Sequence, residues 1–182
     1  YYAGMGEVMK YGLIKNASFY EWILDNMYEI HERDMDTLED MVVKSCTYKK
    51  LVVEKDPTEK GERAILNFGH TIGHAIEKAK NFELLHGECV ALGCVAAAFI
   101  SMEEYYEIRD MFVPFNLPIT IDDIDPNEIL RLIASDKKVE GDKIKFILLK
   151  KVGKAIIDTS VTKDEIMSGI QEIYFSEEDE HE

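Results

Sequence analysis

Between residues 63 and 77 the chain reads RAILNFGHTIGHAIE, and this stretch limits the possible fold most tightly. Ala64, Ile65, Leu66, Phe68, Gly69, Ile72, Gly73, Ala75 and Ile76 are apolar or small. The polar exceptions, Arg63, Asn67, His70, His74 and Glu77, fall at spacings of 4, 3, 4 and 3. That spacing predicts one polar stripe on a helix over residues 63–80, with the rest of its surface buried. A solvated stripe would be rich in Lys and Glu. This one carries Arg, Asn and two His, groups that bind anions, amides and metals. Gly69 and Gly73 weaken a helix, so their placement predicts close approach of another backbone. The competing reading is an amphipathic helix with two incidental histidines.

The flanking sequence is also mostly helical. Apolar periodicity predicts helices over residues 4–14, 18–30, 36–55 and 87–107. In the third, Leu38, Met41, Val42, Cys46 and Val53 are read as one apolar stripe. Asp125 before Pro126 is an N-cap with proline at the first helical position, predicting a helix over residues 126–135. KIKFILLKKVGKAIID, residues 143–158, breaks the pattern and reads as a β-hairpin turning at Gly153. Thr162 and Glu165 form a capping box for a last helix reaching about residue 174.

Composition excludes several function classes. The chain has 182 residues and a net charge of −15, which disfavours nonspecific binding to nucleic acid or anionic membranes. Part of that charge lies in residues 177–182, read as an acidic, solvated tail. The longest apolar run, residues 89–102, is shorter than the ~20 residues a bilayer span needs. Cys46, Cys89 and Cys94 form no CxxC pair and lie in apolar contexts, which predicts buried thiols. With no signal peptide in view, a soluble, cytoplasmic chain is expected. No strand followed by GxGxxG occurs, and the chain opens at Tyr1 almost directly on a dense motif. A domain lacking its own dinucleotide-binding unit is therefore expected.

The candidate chemistry clusters around the histidines. His86, in LLHGECV, is a plausible metal ligand beside His70, with a carboxylate as the natural third donor. Glu7 in GMGEVMKYG supplies one, and Lys10, three residues on, shares its helix face. An ordinary surface ion pair is the plainer reading of that spacing. Val42, Cys46, Lys49 and Val53 follow 4, 3, 4 spacing, placing Lys49 on the apolar stripe, where it needs an anion or must snorkel. Lys137 and Lys138 add cations at a helix end.

GMGEVMKYG, RAILNFGHTIGHAIE, LLHGECVALG and SDKK, in that order, resemble the C-terminal domain of the 3-dehydroquinate synthase family, within the sugar-phosphate cyclases. The resemblance implies a mainly α fold: a helical metal- and substrate-binding domain with one small β-hairpin over residues 1–176. It implies a lyase of the shikimate pathway, in aromatic amino-acid biosynthesis. That enzyme converts 3-deoxy-D-arabino-heptulosonate 7-phosphate to 3-dehydroquinate and phosphate, using NAD and a divalent metal, zinc or cobalt. By the same resemblance Glu7, His70 and His86 are the metal ligands. Lys10, Lys49, Arg63, Asn67, His74 and one of Lys137 and Lys138 contact substrate, with His74, Lys10 and Lys49 taking catalytic parts. The implied partners are a small anionic sugar phosphate, an N-terminal Rossmann-like NAD-binding domain not contained in this chain, and a second copy in a homodimer. Without that NAD-binding domain the chain is expected to be inactive alone. The alternatives are another cyclase such as 2-deoxy-scyllo-inosose synthase, a polyol dehydrogenase of related architecture, or a noncatalytic helical domain with a structural metal.

Overall fold

The computed structural model describes residues 1–58, 61–102, 104–136, 139–140 and 143–175. The fold is built around one helix, α6 (His86–Ser101), whose residues from Cys89 to Ala98 are all buried. A helix apolar on every side can exist in water only when neighbours enclose it. Here they are α1 (Tyr2–Lys15), α5 (His70–Ala79), α7 (Tyr105–Phe112), α9 (Lys163–Ile173) and strand β2 (Lys143–Lys151). Small residues allow that crowding. A side chain on Gly93 would lie 1.8 Å from the Gly69 carbonyl oxygen, so α5 and α6 meet backbone to backbone.

α2 (Ala17–Asp25) and α3 (Met27–His31) lead to the long α4 (Met35–Lys55), and α8 (Pro126–Asp136) packs on α5 and α9. The expected helix over residues 18–30 is broken at Asn26, whose side-chain amide donates to the Trp22 carbonyl. The expected helix over 87–107 ends at Ser101, because Met102 is extended. The capping signals operate as read: Asn127 N–H donates to Asp125 Oδ1, and Glu165 N–H to Thr162 Oγ1.

β2 pairs antiparallel with β3 (Lys154–Thr162), and a short β1 (Val139–Glu140) adds on the other side of β2, in the order β1-β2-β3. The hairpin is thus longer than residues 143–158 and gains a third strand. Gly153 turns it with φ of 90° and donates its N–H to the Leu13 carbonyl at 2.7 Å, fixing the hairpin to α1. Ile144, Phe146, Ile147, Leu148 and Leu149 of β2 are buried.

Two expectations are corrected on α4. Its buried line is Met41 and Val52, with half-buried Ser45 and Tyr48 between them; Val42, Cys46 and Lys49 are exposed. Both lines have 4, 3, 4 spacing, and Tyr48 stacking on Phe19 at 5.2 Å fixes the inner one. Lys49 is therefore not an inward lysine, and Cys46 is not a buried thiol; Cys89 and Cys94 are buried. No helix of the described residues is long and apolar enough to cross a membrane.

Candidate metal centre

The helix expected over residues 63–80 is two pieces. Glu62–Asn67 form a 3-10 helix, Phe68 and Gly69 turn, and α5 starts at His70. Phe68 (φ −53°, ψ 128°) and Gly69 (φ 75°, ψ −14°) have the central angles of a type II turn, which needs glycine second. A side chain at Gly69 would also come within 2.5 Å of Cys94 Sγ. The turn places Arg63 and Asn67 on one element and His70, His74 and Glu77 on the next.

A second glycine contact joins α1 to α6. A Cβ on Gly6 would sit 2.4 Å from the Gly87 carbonyl oxygen, and one on Gly87 1.6 Å from that of Ala3. Gly6 precedes Glu7 and Gly87 follows His86, so this contact brings the carboxylate and the imidazole together. Glu7 Oε1 lies 2.9 Å from His70 Nε2 and 3.1 Å from His86 Nε2. The other oxygen, Oε2, is 2.6 Å from Lys10 Nζ, which also donates to the Leu66 carbonyl at 2.9 Å. Lys10 is only 4% exposed, so the pair is no surface ion pair. Burial by itself would raise the Glu7 carboxyl, but the His70 hydrogen bond and the Lys10 charge outweigh it. The carboxyl is held well below its ordinary range.

The donor set fits a divalent cation. The Phe68 carbonyl, 3.1 Å from His70 Nδ1, can only accept, so Nδ1 carries a proton. A bound cation would take the place of the Nε2 proton shared with Glu7 Oε1, and the Nε2 lone pair and the carboxylate oxygen would then both face the ion. Donors ~2.0–2.2 Å from a tetrahedral zinc are roughly 3.3–3.5 Å apart, so seating one opens the cluster by a few tenths of an ångström. Two imidazoles and one carboxylate would hold such an ion with three protein donors.

His74 lies one turn beyond His70, exposed, with its ring centroid 5.2 Å from that of His70. Its donor atom groups instead with those of Glu77 and His86, all within 4.8 Å. Glu7, Lys10, Tyr11, Lys49, Leu66, Asn67 and His70 line one cleft. Asn67 also borders a cleft with Arg63 and another with His74, Thr71 and Asp136. Lys10, Lys49, Arg63, Asn67, His70 and His74 therefore surround one region; Lys137 and Lys138 lie outside the described residues. Reading the sequence missed Tyr11, Thr71 and Asp136 as cleft walls. For Tyr11, four residues after Glu7, helical spacing was the available signal. A larger cavity of about 470 Å³, lined in part by Tyr20, Tyr106 and Met111, is separate, and among the described residues no histidine or cationic side chain lines it.

Comparison with known proteins places the chain in a family. The family described as 3-dehydroquinate synthase C-terminal matches residues 4–139. This chain belongs to the 3-dehydroquinate synthase C-terminal family. A 3-dehydroquinate synthase of Nitrosospira multiformis is 41% identical over 167 residues, covering 87% of the chain and 46% of the relative. One from Acetivibrio thermocellus is 38% identical over 175 residues, covering 92% and 49%. The chain thus spans about half the length of these curated relatives. A 2-deoxy-scyllo-inosose synthase solved with carbaglucose-6-phosphate, NAD+ and Co2+ superposes with a TM-score of 0.77 at 28% identity, over 94% of this chain and 52% of that one. A 2-epi-5-epi-valiolone synthase of Streptomyces hygroscopicus subsp. jinggangensis, with NAD+ and Zn2+ bound, reaches a TM-score of 0.82 over 94% of this chain and 50% of that one. At 20% identity this second likeness speaks for the fold alone. This chain is thus a mainly helical domain with a small antiparallel sheet, as the resemblance implied apart from the third strand.

Proposed function

We propose that this chain is the metal- and substrate-binding half of a 3-dehydroquinate synthase, acting on 3-deoxy-D-arabino-heptulosonate 7-phosphate. The observation that carries the reading is the convergence of Glu7, His70 and His86, with both Nε2 atoms within 3.1 Å of Glu7 Oε1, beside Lys10, in a chain of this family. Glu7 Oε1 and the two Nε2 atoms would hold zinc or cobalt, and residues 1–176 form the domain that presents them. When bound, the divalent cation would supply Lewis acidity at a substrate oxygen, and NAD, held mainly by a separate domain, would supply hydride chemistry.

The chain's own side chains do the rest. Lys10 neutralises one carboxylate oxygen of Glu7, leaving the other for the cation. Lys49 and Arg63, which line two clefts that share Asn67, suit the carboxylate and phosphate of a doubly anionic substrate. Asn67 supplies both donor and acceptor to a hydroxyl between them. His74, near the cluster but outside the Glu7 group, takes or returns the proton of the substrate hydroxyl. Lys137 or Lys138 adds a further cation.

Phosphate release is the direct test. The chain joined to an NAD-binding half should release phosphate from the heptulosonate phosphate with NAD present, and the chain alone should not. Turnover of glucose 6-phosphate in preference would place it with the 2-deoxy-scyllo-inosose synthases, and cyclisation by the isolated chain would overturn the division into halves.

A further inference from the structure

The remaining polar residue of the α5 stripe is Glu77, and it touches the cluster from behind. Its side chain is 12% exposed, and its Oε1 lies 2.8 Å from His86 Nδ1. His86 needs such a contact. It is the first residue of α6 and its side chain is 48% exposed, so its place on the helix does not by itself fix which nitrogen faces Glu7. Of the tautomers and ring orientations open to it, only one presents an Nε2 lone pair towards Glu7. A carboxylate 2.8 Å from Nδ1 holds that one once a cation replaces the proton between Nε2 and Glu7, because it accepts the Nδ1 proton while Nε2 faces the ion. We infer that Glu77 is a positioning residue, anchoring the His86 imidazole so that Nε2 faces the cation position.

This inference rests on the metal reading above. A different use of the same atoms is conceivable on distance alone, since His74, Glu77 and His86 also form a three-donor group. The two uses exclude each other: when Nδ1 donates to Glu77 and Nε2 faces Glu7, the Nδ1 lone pair is not available to the second group. Glu77 then acts through His86 and does not itself hold an ion.

Zinc affinity of the chain, measured by chelator competition, tests this together with the ¹⁵N shifts of the His86 ring in the zinc-loaded protein. Glu77→Ala should weaken zinc roughly 10–100-fold at an unchanged stoichiometry and make the His86 nitrogen shifts those of a mixed tautomer population. Glu77→Gln should recover part of the loss, because its amide oxygen still accepts from Nδ1. The metal-free melting temperature of each variant separates a fold defect, which would lower it without altering the shifts of the loaded ring. Equal affinity in wild type and Glu77→Ala overturns the inference, as does loss of a second bound ion on that substitution. Absence of zinc binding by wild type overturns the metal reading itself.

Discussion

Gly87→Ala is the perturbation that joins fold to site most directly. The added Cβ would stand 1.6 Å from the Ala3 carbonyl oxygen, 2.4 Å from its carbonyl carbon and 3.0 Å from its Cα, all backbone atoms. Carbon and oxygen tolerate about 3.3 Å at closest, so α1 and α6 must separate by roughly 1.5 Å. Overpacking of this kind costs ~1–3 kcal/mol, and a backbone clash belongs at the upper end. For a domain of this size 1 kcal/mol shifts Tm by ~2–4 °C, giving a loss of roughly 6–12 °C. The same displacement separates Glu7 from His86, whereas metal–ligand distances tolerate only ~0.2 Å. Zinc affinity should therefore fall by more than the roughly 10–100-fold of an outer-sphere change. Gly4→Ala is the control: nothing lies within 4 Å of its Cβ position, so the exposed helical site should gain ~0.4–1 kcal/mol. Thermal melting and zinc competition measure both quantities. Gly87→Ala with wild-type melting and wild-type zinc affinity would refute the claim that this glycine contact sets the cluster.

Further outcomes follow from other parts of the molecule. Val52→Ala, at a buried position, should cost about 2 kcal/mol in urea unfolding, whereas Val42→Ala on the exposed side of α4 should stay within about 0.5 kcal/mol; the opposite ranking would restore the other helix face. Lys10→Ala should destabilise by ~1–3 kcal/mol, because it strips a donor from the Leu66 carbonyl and the cation from Glu7. Burial pushes the Cys89 thiol up to about 12 and the Cys94 thiol also upward, so thiol reagents at neutral pH should label Cys46 rapidly and the other two only on unfolding. Because these folded pKa values exceed the unfolded value of ~8.5, their contribution is full below that pH and fades as pH rises towards 12. Denaturation midpoints measured from neutral to alkaline pH should accordingly decline.

What the sequence revealed divides along physical lines. Signals made by neighbouring residues were legible: Asp125 before Pro126, the Thr162–Glu165 box, and Gly153 between two apolar strands each specify a local geometry unaided. The polar residues 63–77 kept their order although the helix did not, because the Gly69 turn interrupts the expected helix before α5 without removing Arg63 and Asn67 from the clefts. Periodicity alone could not choose between residues 41, 45, 48, 52 and 42, 46, 49, 53 on α4, since the two lines differ only by one step of rotation. The choice depends on tertiary contacts such as Tyr48 with Phe19. Lys49 and Cys46 were misplaced inward for that one reason. The grouping of Glu7 with His70 and His86 spans 79 residues, beyond the reach of spacing arguments, and came from resemblance. The role of Glu77 was hidden because its partner lies on the next helix.

Zinc titration of the purified chain bears most directly on the central claim. One ion should bind to wild type and to His74→Ala, and binding should be lost in Glu7→Ala, His70→Ala and His86→Ala. Loss of the ion in His74→Ala with retention in Glu7→Ala would contradict the account.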